Sequence, residues 1–290
     1  MVGAVNVGQF LVDGLLLGGI YAAVAVGFAL VWGIMNIVNL SHGTLVVVGA
    51  YVTYWLFTLW HLDPFASVPI AMAVLFGLGW VIQKVLINRI IRAPPLMTFL
   101  LTFGLSLLIT DLIVHAFSSN FRSVAVSYSA AGLRFVGVVV PLVRTAALAL
   151  AVVLVALLGV YLNRTRSGQA IQATGMDPEA ARLVGIDISN IYALTFAIGA
   201  ALAGAAGALF AVIYPLSPDL GNPVTLRAFV VVVLGGLGNV YGALLGGLVF
   251  GLAEVFGSAL FGAGYEDAIA FGLLVITLVL RPRGLIGRAA

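Results

Sequence analysis

Residues 191–214 read Ile-Tyr-Ala-Leu-Thr-Phe-Ala-Ile-Gly-Ala-Ala-Leu-Ala-Gly-Ala-Ala-Gly-Ala-Leu-Phe-Ala-Val-Ile-Tyr. No charge interrupts them. A helix rises about 1.5 Å per residue, so the run is long enough to cross a hydrocarbon layer of ~30 Å. Ala200 and Gly204 stand four apart, a spacing that lets helix backbones approach closely in lipid. Gly242 and Gly246, then Gly247 and Gly251, repeat that spacing further along. Packing explains these small faces without any appeal to a solute.

Working outward, similar apolar runs occupy roughly 8–33, 43–60, 66–87, 96–117, 143–162, 226–238, 240–257 and 266–281. The run 226–238 is too short for a full crossing and reads as half of a broken helix. Of the 290 residues, 63% are hydrophobic and only 8% charged. A soluble domain carries roughly 25% charged residues, so this chain cannot cover a water-facing surface. The expected fold is all-α: one polytopic integral membrane domain over 1–290, with eight or nine transmembrane or partly broken helices.

Chemistry-bearing motifs are missing. With no Cys there is neither a disulfide framework nor a thiolate metal site. His42, His61 and His115 stand apart, so no metal site is expected. The single Lys, Lys84, is followed by Val85, so there is no phosphate-binding Gly-Lys-Ser/Thr loop. Gly236-Leu-Gly-Asn-Val-Tyr fails as a dinucleotide fingerprint. No catalytic residue is assigned, and ATP, if it drives this protein, must be bound by another chain. The net charge of +3 is small and points to basic loops rather than to nucleic acid. No cleavable leader is expected, because the first basic residue is Lys84.

Basic residues gather at Lys84/Arg89/Arg92, Arg164/Arg166/Arg182 and Arg281/Arg283/Arg288. The positive-inside rule puts all three groups in the cytoplasm. The N-terminus is then outside and the C-terminus inside, provided that 226–238 and 240–257 are separate passes. Arg122, Arg134 and Arg144 fall on the outer side. Four crossings, a connector at 143–162 and four more crossings suggest an inverted repeat, an arrangement common in transporters.

Polar residues interrupt this pattern in three places. Asn36, Asn39, Ser41 and His42 form the first break; Asn222 and Thr225 belong to the second, at 215–225. Irregular backbone at membrane depth is tolerated where protein or water satisfies it. Two readings stand: these six residues line a solute path, or they belong to loops in which Asn39 or Ser41 caps the next helix. Asp13, Asp111, Arg227 and Glu254 are charges inside apolar runs and are functional candidates on cost alone. The third interruption, 163–190, is polar and basic and must stand in water. There Asp177 suits an N-cap, Pro178 the first helical position and Glu179 the first turn. Ala180, Ala181 and Arg182 continue a short helix over 178–184, and Gly185 can close it in a left-handed conformation.

Several stretches carry a resemblance. They are Gly18-Gly-Ile-Tyr-Ala-Ala-Val-Ala-Val-Gly-Phe28, Asn36-Ile-Val-Asn-Leu-Ser-His-Gly43, Ala228-Phe-Val-Val-Val-Val-Leu-Gly-Gly-Leu-Gly-Asn239 and Arg281-Pro-Arg-Gly-Leu285. Together they resemble the branched-chain amino-acid permeases of the LivH type, over nearly the whole chain. Ala173, Gly175, Ala180, Ala181, Gly185 and Ile186 resemble, more loosely, the coupling loop of ABC importer permeases. The resemblance implies a permease subunit in a bacterial inner membrane. Its partners would be a second homologous permease, two ABC ATPases that use ATP-Mg, and an extracytoplasmic solute-binding protein. Residues Asp177 to Arg182, with Gly185, would receive the ATPase stroke. Members of that family also carry urea, short amides or aromatic acids. The alternative is an ion-coupled secondary transporter, or a facilitator channel for a solute such as urea or an amide.

Overall fold

The computed structural model describes residues 7–91, 93–128, 131–135, 137–281 and 283–286. Arg92 and Arg288, used above for orientation, lie outside these residues. In chain order the helices are α1 (Val7–Met35), α2 (His42–Trp60) and α3 (Pro64–Ile82), the last running through a π-turn into α4 (Asn88–Ile90). Then come α5 (Pro95–Phe117), α6 (Leu142–Arg164), α7 (Arg166–Met176), α8 (Pro178–Leu183) and α9 (Ile188–Ile213). Last are α10 (Gly221–Gly235), α11 (Val240–Phe261) and α12 (Glu266–Leu280). Seven spans are long and apolar enough to cross a membrane: α1, α2, α3 with α4, α5, α6, α9 and α11. α10 and α12 have 15 residues each, about 22 Å of helix, and fall short of a full crossing. All-α membrane architecture is therefore what the chain adopts.

Three local expectations need correction. The short span at 226–238 begins five residues earlier, at Gly221, because Pro223 sits in the first turn, where its missing N–H costs nothing. Asn222 and Thr225 thus lie on a helix and not in a loop. The polar island at 163–190 holds two helices. The unforeseen one, α7, is capped by Thr165, whose Oγ1 accepts the Gly168 amide at 2.9 Å, and it buries Ile171 and Thr174. Between α5 and α6 an antiparallel hairpin, β1 (Gly132–Phe135) with β2 (Val138–Pro141), interrupts the all-helical pattern. Beside it Tyr128 donates to Asp63 Oδ2 at 2.6 Å; burial, then this carboxylate, push the phenol above its ordinary range.

α1 and α9 are buried on nearly every side, as helices apolar all round must be. They cross at Gly27 and Gly199: a Cβ on Gly27 would lie 2.5 Å from the Gly199 carbonyl oxygen. α1 also runs against α11, and α9 against α3. The two ends of the molecule are easily told apart. At one, Gln9 of α1 bonds both backbone groups of Val139 in the hairpin, at 3.0 and 2.8 Å. At the other, Gly33 of α1 meets Gly238, Ile34 meets Gly175 of α7, and Asn88 bonds Ser189. The three basic groups, as far as described, lie at or near this second end.

Candidate functional site

α2 does not begin at either end. His42, its first residue, is fully buried, and its Nε2 lies 2.9 Å from the Val24 carbonyl, midway along α1. Residues 36–41 therefore climb from the α7 end to mid-depth as irregular chain. From there α2 runs toward the hairpin end, where Tyr54 meets Arg122. α10 starts at the same depth and runs the opposite way, to Gly238 beside Gly33. Their N-termini meet: the Gly43 α-carbon and the Gly221 carbonyl leave no room for a Cβ.

Each helix start leaves amides that need partners. Thr225 supplies one across the junction, accepting the Gly43 N–H at 2.8 Å; its hydroxyl also lies 2.9 Å from the Gly221 carbonyl and 3.2 Å from that of Leu40. Asn39 Oδ1 accepts from both the amide and the hydroxyl of Ser41, at 3.1 and 2.7 Å. Thr102 on α5 bonds the backbone at Val38 and Leu40. Thr44 and Ser106 share a bond of 2.8 Å, and Ser106 reaches Asn222 Oδ1 at 3.4 Å.

The structure thus brings Asn39, Ser41, His42, Asn222 and Thr225 into one polar junction. Asn39, Ser41, His42 and Thr225 are buried with their polar groups engaged. Asn36 is not part of it. It stands exposed, with φ 52°, on a cavity of about 530 Å³ at the α7 end, beside Asn163, Gln172, Gly238 and Tyr241.

Beside the junction lies a second polar group. Arg227 of α10 donates to Tyr21 Oη at 3.1 Å, and Tyr21 donates to Glu254 Oε1 at 2.9 Å. Arg227 also pairs with Glu266 at 3.4 Å and Asp267 at 3.5 Å, on the first turn of α12. Glu254 is 5% exposed, and its Oε2 has no partner among the described residues. Sequence cost flags Arg227 and Glu254, but nothing in the sequence ties them to Tyr21 or to each other. Beside Tyr21 and Arg227 is a cavity of about 200 Å³ with mainly apolar walls. Of the other flagged charges, Asp13 accepts from Gln9 at 3.0 Å. Asp111 faces outward with Asp219 in a shallow cleft.

At the far end, α8 matches its sequence reading closely. Asp177 Oδ1 accepts the amides of Glu179 and Ala180 at 2.9 and 3.0 Å, and Pro178 takes the first helical position. Gly185 has φ +87°. Ala181 is buried against the body, whereas Glu179, Ala180 and Arg182 are exposed. Glu179 and Arg182 pair at 3.5 Å, in water, where such a pair contributes little. Pro178, Glu179 and Arg182 share a groove of about 490 Å³ with Asn88, Ser189 and Tyr192. Met176, Leu183 and Val184 flank α8 and are 79, 89 and 78% exposed, an apolar rim around a polar helix.

Comparison with known proteins bears on this arrangement. The family model described as branched-chain amino acid transport system, permease component, matches residues 10–278. The high-affinity branched-chain amino acid transport system permease protein BraD of Pseudomonas aeruginosa is 32% identical, over 97% of this chain and 95% of its own. The corresponding protein LivH of Escherichia coli is 30% identical, with the same shares covered. The fructose import permease protein FrcC of Rhizobium meliloti is 29% identical, over 73% of this chain and 62% of its own. No solved structure matches significantly.

Proposed function

We propose, because the chain belongs to the family of branched-chain amino acid transport system permease components, that it is the membrane-spanning subunit of an ATP-driven importer for branched-chain amino acids or a closely related small solute. The observation that carries this is a family match along almost the whole chain, joined to relatives at 30–32% identity over 97% of it. The alternative, a secondary carrier or a facilitator channel, is not favoured by these relatives.

The partners follow from this reading. ABC ATPases would bind ATP-Mg and dock at the α7–α8 end. A second homologous permease would complete the pore, and an extracytoplasmic binding protein would deliver solute at the hairpin end. That places the α7–α8 end in the cytoplasm and the chain in the inner membrane of a bacterium. Support comes from the exposed, capped helix α8 and from the basic residues around it. Asp177 to Arg182 and Gly185 are the contact surface in this reading, with Met176, Leu183 and Val184 as the apolar part of the docking face. A small exposed helix with an apolar rim can enter a partner's cleft and carry its motion to α9 through Ile188.

The solute route in this reading passes the junction of α2 and α10. Asn39, Ser41, His42, Asn222 and Thr225 form its gate, closed by their mutual bonds, and Asn36 lies at the exit cavity. We read residues 7–117 and 188–280 as two units of opposite orientation. In support, α1 packs on α11 as α9 packs on α3, and α2 meets α10 start to start.

The test is co-purification of the permease with its associated subunits, followed by solute-stimulated ATP hydrolysis in proteoliposomes. Glu179→Arg combined with Arg182→Glu should leave membrane insertion intact and reduce coupled hydrolysis at least about tenfold. Unchanged coupling would remove α8 from the ATPase contact. Recovery of the permease with no ATPase would count against the importer itself.

A further inference from the structure

Arg122, one of three arginines expected on the outer side, is tied down three times over. Its backbone pairs with Leu216: the Arg122 N–H donates to the Leu216 carbonyl at 3.0 Å, and the Leu216 N–H donates to the Arg122 carbonyl at 2.7 Å. Its guanidinium donates at 2.6 Å to the carbonyl of Phe117, the last residue of α5, and so satisfies an acceptor that a helix end leaves open. The same group donates to Tyr54 Oη at 3.3 Å and lies over the rings of Tyr54 and Trp55, 5.4 and 5.6 Å from their centres, on the last turns of α2. A planar, permanently charged fork suits this mixture of bonding and stacking. Val124 and Val126 are buried beyond it, and Leu216 is buried opposite it. Residues 118–126 are thereby strapped to the ends of two helices and to the segment that leads into α10.

The two paired segments also share a cavity. Phe121, next to Arg122, lines the cavity of about 200 Å³ beside Tyr21, and so do Tyr214 and Pro215, next to Leu216. Val24 and Val224 line it as well. Val24 carries the carbonyl that meets His42, and Val224 precedes Thr225, which accepts the Gly43 amide. The cavity therefore runs from the junction to the strap.

We infer that the strap is an outer gate and that Arg122 is its positioning residue. The junction bars the path on one side of the cavity, and the Arg122–Leu216 pair bars it on the other. Solute enters from the hairpin end when that pair parts, and leaves toward the α7 end when the junction does. α2 touches both barriers, through His42 and Gly43 at its start and through Tyr54 and Trp55 near its end. From His42 to Tyr54 it is a rigid rod of about 18 Å, so a tilt that loosens one barrier presses on the other. Arg122 meets no solute in this assignment; it holds the strap in place. The assignment rests on the importer reading above and adds a second barrier to the path, with the residue that sets it.

The test makes the tie covalent. Two residues that exchange both backbone bonds stand about 5.5 Å apart at Cα, within reach of a disulfide. Arg122→Cys with Leu216→Cys gives a lock that can be set and released, in a chain with no other cysteine. In proteoliposomes holding the assembled importer with its ATPases and binding protein, oxidation should abolish leucine uptake and reductant should restore it. A merely structural tie tolerates being made covalent, so full uptake by the cross-linked importer overturns the proposal. Where the pair does not cross-link, or its reduced form takes up nothing, labelling decides. Val224→Cys should react several-fold faster with an impermeant thiol reagent, added from the hairpin side, when Arg122→Gln accompanies it. Ala197→Cys, at a position buried on α9, should label no faster with Arg122→Gln than without. Equal rates at Val224, or a rise at both positions, overturns the gate. Wild-type importer that takes up no leucine would instead overturn the importer reading, and the labelling comparison would still decide the strap.

Discussion

Thr225 shows how one hydroxyl can hold a broken architecture together. It accepts the Gly43 amide, in the first turn of α2, while standing on α10, so it joins two helices that share no stretch of sequence. Thr225→Val keeps the shape and removes the acceptor. Leaving a buried amide unpaired costs about 1–3 kcal/mol, so the melting temperature in detergent should fall, and Thr225→Ser should restore it. An unchanged melting temperature would mean that water replaces the bond. At this scale the sequence was partly legible. Asn39, Ser41 and His42 stand out as polar residues in an apolar run, but the bonds that fix their segment, His42 to Val24, Leu40 to Thr102 and Leu40 to Thr225, span 18, 62 and 185 residues of chain, and no local pattern announces them. Tyr21 is hidden for the same reason: within an apolar helix it reads as packing, and only the fold places it between Glu254 and Arg227.

Among elements, α8 was the most readable, because caps are local. Asp, Pro and Glu at consecutive positions state where a helix starts, and a glycine states where it ends. Asp177→Ala should cost about 1 kcal/mol of local helix stability, visible as faster hydrogen exchange at Glu179 and Ala180 with exchange in α9 unchanged. Equal exchange in both proteins would show that contact through Ala181 alone fixes the helix. α7 was missed because its weak apolar face, Ile171 with a few small residues, looks like surface loop until the body of the protein lies under it. α10 was misplaced because a proline normally marks a boundary, and Pro223 marks the inside of a first turn. Close approach of α2 and α10 leads to a sharper expectation. Gly43→Ala must push the helix starts apart, and uptake should drop severely even where the protein still inserts. Wild-type uptake by that variant would show that the junction opens at little cost.

For the molecule as a whole, hydropathy gave the spans, since it is a sum over many residues and survives local error, and charge gives their expected sidedness. What they could not give is depth. A run of 19 apolar residues looks like a simple crossing, yet α2 starts halfway through the layer, because the preceding irregular segment does half the climbing. Sidedness can be checked with single cysteines in a chain that has none. Phe121→Cys should react with an impermeant thiol reagent from outside intact cells, and Leu183→Cys only after the membrane is opened. The reverse result would invert the topology.

The meeting of two helix starts at mid-depth has a consequence for the cell's energy supply. A helix start carries roughly half a positive charge, and here two such ends meet within a buried, hydrogen-bonded plug. Inward-facing positive ends of half helices are a known obstacle to cations and protons in pores. A bacterium holds a potential that pulls those ions inward, and an importer that opens for an electrically neutral solute must not discharge it. The junction sets a field against that current at mid-depth. Liposomes carrying the resting importer should therefore hold an imposed proton gradient as well as empty ones, and Thr225→Val, which loosens the plug, should let it decay faster.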